Sequence, residues 1–230
     1  MSVDPRWADV DAYLHERLLR PDPGLEAVHL ENTAAGLPAI DLSPALGKFL
    51  HLLARIAGAR RILEIGTLGG YSTIWLARAL PPDGRLITLE IDAGYAEVAA
   101  RNIDRAGLAS MVEIRVGPAL QTLEAVAADG EPFDLVFIDA DKANNAAYVE
   151  AVLRHSRPGT VIVGDNVVRG GALLDGSGAE PSTAGSRRLM DLAHDRPELD
   201  ATVVQTVGLK GYDGMFVGVV TDVEKRRTAR

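Results

Sequence analysis

The apolar positions of this chain follow two different periods. Between Pro5 and Arg20, Trp7, Val10, Tyr13, Leu14 and Leu18 recur at mostly three- and four-residue steps, which predicts an amphipathic helix. Pro21 and Pro23 close it, because proline interrupts the helical hydrogen-bond ladder. Leu46, Phe49, Leu50, Leu53 and Ile56 form a second stripe, predicting a helix over about Ser43–Ala57. Ser43 is its N-cap and Pro44 its first helical position.

From Arg61 the pattern changes to short apolar runs separated by helical stretches. The runs Ile62–Ile65, Leu86–Glu90, Val112–Val116, Leu135–Ile138 and Val161–Val163 predict strands. Helices are predicted between them near Ser72–Ala79, Tyr95–Ala106, Ala119–Ala128 and Asn145–His155. Nearly continuous apolar strands alternating with helices imply a parallel sheet covered on both faces. Ala201–Thr206 and Met215–Val220 flank a turn-rich link, Gly208 to Gly214, and predict an antiparallel terminal pair. The expected fold is α/β and doubly wound, with about seven mostly parallel strands and an antiparallel last strand. One domain is expected, with residues 1–58 as a helical extension, 59–222 as the core and 223–230 as a charged tail. The stretch Val167–Ser186, rich in glycine, serine and threonine, predicts a long loop of the lid, binding-loop or linker kind.

Composition narrows the function classes. With 230 residues and a net charge of −8, the chain lacks the basic footprint of a nucleic-acid binder. The absence of cysteine excludes disulfides, thiolate metal sites and cysteine nucleophiles together. No apolar run is long enough to span a membrane. Asp4, Arg6 and Asp9 stand where a signal peptide would be apolar, so a cytoplasmic protein is expected.

The first candidate chemistry follows the first strand, in Glu64-Ile-Gly66-Thr-Leu-Gly69-Gly70-Tyr71-Ser72. A glycine turn between strand and helix lets a ligand approach the backbone at the switch point of the sheet. Glu90 ends the second strand, where a carboxylate can accept both hydroxyls of a ribose. These features suit a dinucleotide or an S-adenosyl ligand. The carboxylate of Glu64 would repel a pyrophosphate and favour an ammonium, and the spacing is not G-x-G-x-x-G.

The second is a pair of acidic strand ends. The fourth strand runs into Asp139-Ala-Asp141-Lys142 and the fifth into Asp165-Asn166. Alone, an aspartate at a strand end is ordinary loop chemistry. Neighbouring strands are about 4.8 Å apart, so Asp139, Asp165 and the Asn166 amide oxygen can converge. Two carboxylates and an amide oxygen suit a hard divalent cation such as Mg²⁺. Lys142 is either a solvated helix-start lysine or, with its charged form disfavoured beside that cation, a general base. The 5 histidines lie outside these motifs and are read as structural.

Together these segments resemble the cation-dependent class I O-methyltransferases, which include catechol and caffeoyl-CoA O-methyltransferases; the bacterial members are the nearer likeness. The resemblance runs from Leu42-Ser43-Pro44 to the Gly211–Gly214 turn and last strand, and is carried by LEIGT with GYS, by FDLVFIDADK and by Asp165-Asn166. It implies that Glu64, Gly66, Ser72 and the Leu42 region hold the methionine part of S-adenosylmethionine. It matches Glu90 to the ribose, and Gly117-Pro118-Ala119 with Ala140 to the adenine side. Asp139, Asp165 and Asn166 correspond to the metal ligands, Asp139 also lying near the cofactor ammonium, and Lys142 to the catalytic lysine. Gly69 replaces the family's usual threonine or serine before GYS, which would loosen that turn. Val167-Val168-Arg169 lacks the aromatic residue often found after Asp-Asn, and no late acidic acceptor contact can be matched.

The resulting expectation is a Mg²⁺-dependent methyltransferase acting on a vicinal dihydroxy aromatic, a small phenolic acceptor. The family implies a homodimer, with no nucleic-acid or membrane partner. Two other classes share features. A nicotinamide-dependent reductase of the short-chain type needs Tyr-x-x-x-Lys, and none of the 5 tyrosines has lysine four residues on. A non-catalytic S-adenosyl-binding protein would have no use for an intact Lys142 and cation set.

Overall fold

The computed structural model describes residues 4–127, 130–175 and 180–222. The predicted charged tail at 223–230, the helix end at Ala128 and the centre of the 167–186 stretch lie outside the described residues. Seven strands form one sheet: β1 (Arg61–Ile65), β2 (Arg85–Glu90), β3 (Val112–Val116), β4 (Phe133–Ile138), β5 (Ser156–Gly164), β6 (Leu199–Gly208) and β7 (Gly211–Val220). Their order is β3-β2-β1-β4-β5-β7-β6. The pairs from β3 to β5 are parallel, and β7 runs antiparallel to both β5 and β6. The order reverses between β1 and β4, which places a ligand crevice beyond their carboxyl ends.

Alternation along the strands accounts for the two-faced core. Leu63 and Ile65 of β1, with Val136 and Ile138 of β4, pack on one face of the sheet. Ile62, Leu135 and Phe137 pack on the other. Successive side chains point to opposite faces, so a strand covered on both sides reads as a continuous apolar run.

The helices are α1 (Pro5–Leu18), α2 (Pro23–Ala34), α3 (Pro44–Ile56), α4 (Tyr71–Ala77), α5 (Ala93–Arg105), α6 (Ala119–Ala127), α7 (Asn145–Leu153) and α8 (Pro181–Asp195). Two of them correct the sequence reading. Pro23 follows Asp22, whose carboxylate caps Leu25 N at 3.1 Å, so the proline begins α2 as well as ending α1. The supposed loop to Ser186 becomes helical at Pro181, and Val167 and Val168 before it are buried. Small residues hid the start of α8: Thr183, Gly185 and Ser186 are buried there, and the first buried apolar residue is Leu189.

The terminal pair is a tighter hairpin than expected. Gly208 pairs with Gly211, and Gln205 with Gly214, so only Leu209 and Lys210 form the turn. The α1 stripe also differs, because Val10, Tyr13, Leu14 and Leu18 are exposed and no residue of α1 is buried. Among the described residues, no helix is long and apolar enough to cross a membrane.

Candidate active site

The turn after β1 lies flush against the turn after β4. Asp139 N donates to Ile65 O at 2.8 Å, and a Cβ added to Gly66 (φ 99°) would collide with the Asp139 carbonyl. Only glycine permits this approach together with that backbone conformation. Gly70 (φ 86°) then starts α4. Thr67 N and Leu68 N donate to one Glu90 oxygen at 3.1 and 2.8 Å, and Asp92 N to the other at 3.0 Å. Glu90 therefore holds the glycine turn while still lining the cavity above it.

That cavity has a volume of about 560 Å³, within the range of small-molecule sites. Leu42, Gly66, Ser72, Glu90, Gly117, Ala119, Asp139, Ala140, Lys142 and Asn166 all line it. Three residues matched by the resemblance do not. Pro118 is absent from the lining, and Asp165 lies on a neighbouring cavity. Glu64 is fully buried behind the turn. Its carboxylate accepts from Ser72 Oγ at 2.6 Å, from Thr88 Oγ1 at 2.7 Å and from Thr73 Oγ1. Burial pushes this carboxyl up to about 7, although the three hydroxyls pull it down. Ser72 connects the buried carboxylate to the cavity, since it bonds Glu64 and lines the cavity wall.

Asp139 and Asp165 each follow a residue of one parallel pair, Ile138 and Gly164. Asp165 N donates to Ile138 O at 3.0 Å, so the strand register itself sets the two aspartates side by side. Burial pushes the Asp165 carboxyl up to about 7; Asp139 adds to the rise and Lys142 opposes it. Two carboxylates that close, one of them buried, form an electrostatic deficit that a divalent cation relieves. Asn166 follows with φ 54° and lines both cavities. Among the described residues, no cluster of three or more His, Cys, Asp or Glu is gathered around one point, so the candidate donor set is two carboxylates and one amide.

Lys142 is buried, and its Nζ lies 2.5 Å from Asp139 Oδ1. Its backbone is clamped by α8. A Cβ on Gly185 would collide with the Lys142 carbonyl, and Arg188 Nη2 donates to Ala143 O at 2.8 Å. None of the histidines lines either cavity.

A family model described as O-methyltransferase matches residues 22–219. The chain belongs to the O-methyltransferase family. It is 52% identical over 220 residues to a catechol O-methyltransferase of Mycobacterium tuberculosis, covering 96% of this chain and 99% of that one. An O-methyltransferase from Bacillus cereus, solved in complex with SAH, superposes with a TM-score of 0.93 at 53% identity, over 94% of this chain and 99% of its own. The O-methyltransferase TomG of Streptomyces achromogenes, involved in tomaymycin synthesis and solved with SAM, gives a TM-score of 0.92 at 47% identity, over 96% and 100%. Membership in this family sets aside the reductase reading.

Several residues of this O-methyltransferase site escaped the sequence reading. Tyr148 lines the cavity and donates to Asp141, and burial, helped by the charge of Asp141, pushes the phenol up. Thr73 and Thr88 were legible as hydroxyls inside otherwise apolar patterns. Asn32 and Asn102 are buried on helix faces. Asn102 Nδ2 donates to Gly69 O at 2.9 Å and to Asn32 Oδ1 at 3.2 Å, and Asn32 donates to Asp41 at 3.1 Å. This chain of amides ties the glycine turn to the Asp41-Leu42 wall.

Proposed function

We propose that this O-methyltransferase moves the methyl group of S-adenosylmethionine to one hydroxyl of a catechol held on a divalent cation, Mg²⁺ being the natural choice for oxygen donors. The observation that carries the reading is the side-by-side placement of Asp139 and Asp165, with the buried Lys142 amine on Asp139. Supporting it are the likeness to a catechol O-methyltransferase and to structures holding SAH or SAM.

The residues present fit both groups. Gly66 lets the turn after β1 lie against Asp139 where a side chain would collide, and the Ser72–Glu64 pair suits an ammonium. Glu90 lines the cavity with three of its roughly four acceptor sites taken by backbone N–H groups, which leaves about one for a ribose hydroxyl, and Gly117, Ala119 and Ala140, which line the same cavity, suit the adenine side. Asp139, Asp165 and Asn166 offer the hard oxygen donors. When bound, the two groups supply an electrophilic methyl and a Lewis acid that acidifies a chelated hydroxyl.

The chain's own work is positioning and proton transfer. Lys142 Nζ takes the hydroxyl proton, and Asp139 aims it. Gly185 and Arg188 keep the Lys142 turn from moving. Leu42 and Ile40 give the acceptor an apolar wall where the two cavities meet. A homodimer belongs to the same reading, supported by the exposed apolar face of α1. The test is methyl transfer to a panel of phenols with mass detection. Methylated catechols with untouched monophenols support it; methylation of monophenols alone overturns it.

A further inference from the structure

A second cavity, of about 460 Å³, opens beside Asp165 and Asn166. Ile40, Leu42 and Asn166 line both cavities, so the two meet at the paired carboxylates. Apolar walls from Ile40, Leu46 and Leu209 suit an aromatic ring, and Asp11 and the β6–β7 turn form the rest of the enclosure.

The charges in this lining are unevenly committed. Asp213 Oδ1 accepts from the backbone of Val168, Arg169 and Gly214 at 3.0, 2.8 and 2.8 Å. Asp11 Oδ2 accepts from Leu209 N at 2.7 Å. Asp165 belongs to the cation set. Lys210 is the one cation among the described residues of this lining. Its ammonium donates to the Ile40 carbonyl at 3.0 Å and to the Asp41 carbonyl. Both acceptors are neutral, and a lysine has three donors. One N–H and the whole positive charge therefore remain for a ligand, set against the negative charges that Asp11 and Asp213, bonded to neutral backbone N–H groups, also keep.

We propose that Lys210 is a specificity-determining residue that selects catechols bearing a carboxylate on the ring or on a short side chain. This rests on the function proposed above and goes one step further, to the acceptor's charge. A ring whose hydroxyls sit at Asp165 and Asn166 has its remaining positions in this cavity, and Lys210 stands at its rim. The two-residue turn fixes the lysine there, because Gly208 and Gly211 pair directly behind it.

The test compares 3,4-dihydroxybenzoate, catechol and dopamine on the wild type, Lys210→Met and Lys210→Arg. Two readings are taken: kcat and KM for methyl transfer, and calorimetric binding of each phenol with S-adenosylhomocysteine and Mg²⁺ present. The wild type should bind the benzoate about fivefold more tightly than catechol, the size of one unscreened charge contact in water, and less so as salt rises. Lys210→Met, which keeps the chain length, should bring that ratio to about one, and Lys210→Arg should keep it. An unchanged ratio in Lys210→Met overturns the proposal. So does an equal shift for all three acceptors, which would mark Lys210 as a mere strut for Ile40 and Asp41. A wild-type preference for dopamine would hand the selection to Asp11. Failure of the wild type to methylate any of the three overturns the underlying function, whereas unselective methylation of all three overturns the role of Lys210 alone.

Discussion

The side-chain amide of Asn32 fills the space that a Cβ on Gly69 would occupy. The resemblance leads one to expect threonine or serine at Gly69, and here the volume comes from α2 instead. The turn is not loosened: Asn102 and Asn32 brace it through a buried amide chain. Gly69→Thr should cost about 1–3 kcal/mol by overpacking. Combining it with Asn32→Ala should recover part of that loss, because the two changes share one space. Urea unfolding of the single and double variants checks this. Strict additivity contradicts the pairing.

Glu64 should make stability depend on pH in a particular direction. Burial raises its carboxyl from the ordinary 4.5 to about 7, so the folded chain keeps a proton that the unfolded chain releases. The stabilisation from that proton is complete below about 4.5, shrinks as pH rises and is gone above about 7. The unfolding free energy of the wild type minus that of Glu64→Gln should therefore fall across this window. A difference that stays flat, or rises, contradicts the buried, protonated carboxyl.

Lys142 should behave as a base and Gly185 as its support. Lys142→Ala should lower turnover by about 10²–10⁴-fold. Lys142→Arg should not rescue it, because a guanidinium stays protonated. Gly185→Ala pushes against the Lys142 carbonyl, so it should lower kcat while S-adenosylmethionine affinity stays near the wild-type value. Single-turnover rates across pH, with calorimetry for the cofactor, decide. Substantial activity in Lys142→Arg would reduce the lysine to a source of positive charge.

What could be read in advance follows from where side chains carry a period. The central parallel strands β1, β2 and β4 are covered on both faces, so their apolar runs stand out, and the residues that follow or end the strands, Glu90, Asp139 and Asp165, are placed with them. The helices α2 and α8 bury asparagine, threonine, serine and glycine beside few apolar residues, which leaves hydrophobic periodicity little to detect. Gly211–Gly214 looked like a turn by composition, yet Gly214 is a strand residue kept small by Val168, with which a Cβ would collide. The clamp on Lys142 joins Gly185 to a turn far away in sequence, and spacing cannot convey that. Val10, Tyr13, Leu14 and Leu18 show the converse: a clear stripe that stays exposed instead of joining the core.

The cation is the centre of the reading, and it rests on Asp139, Asp165 and Asn166 acting together. The most direct measurement is methyl transfer from labelled S-adenosylmethionine to catechol, before and after chelation by EDTA. Loss of turnover in chelator, recovery with Mg²⁺ and no recovery in Asp165→Ala, with cofactor affinity retained throughout, is the expected result. Full turnover in chelator would contradict it.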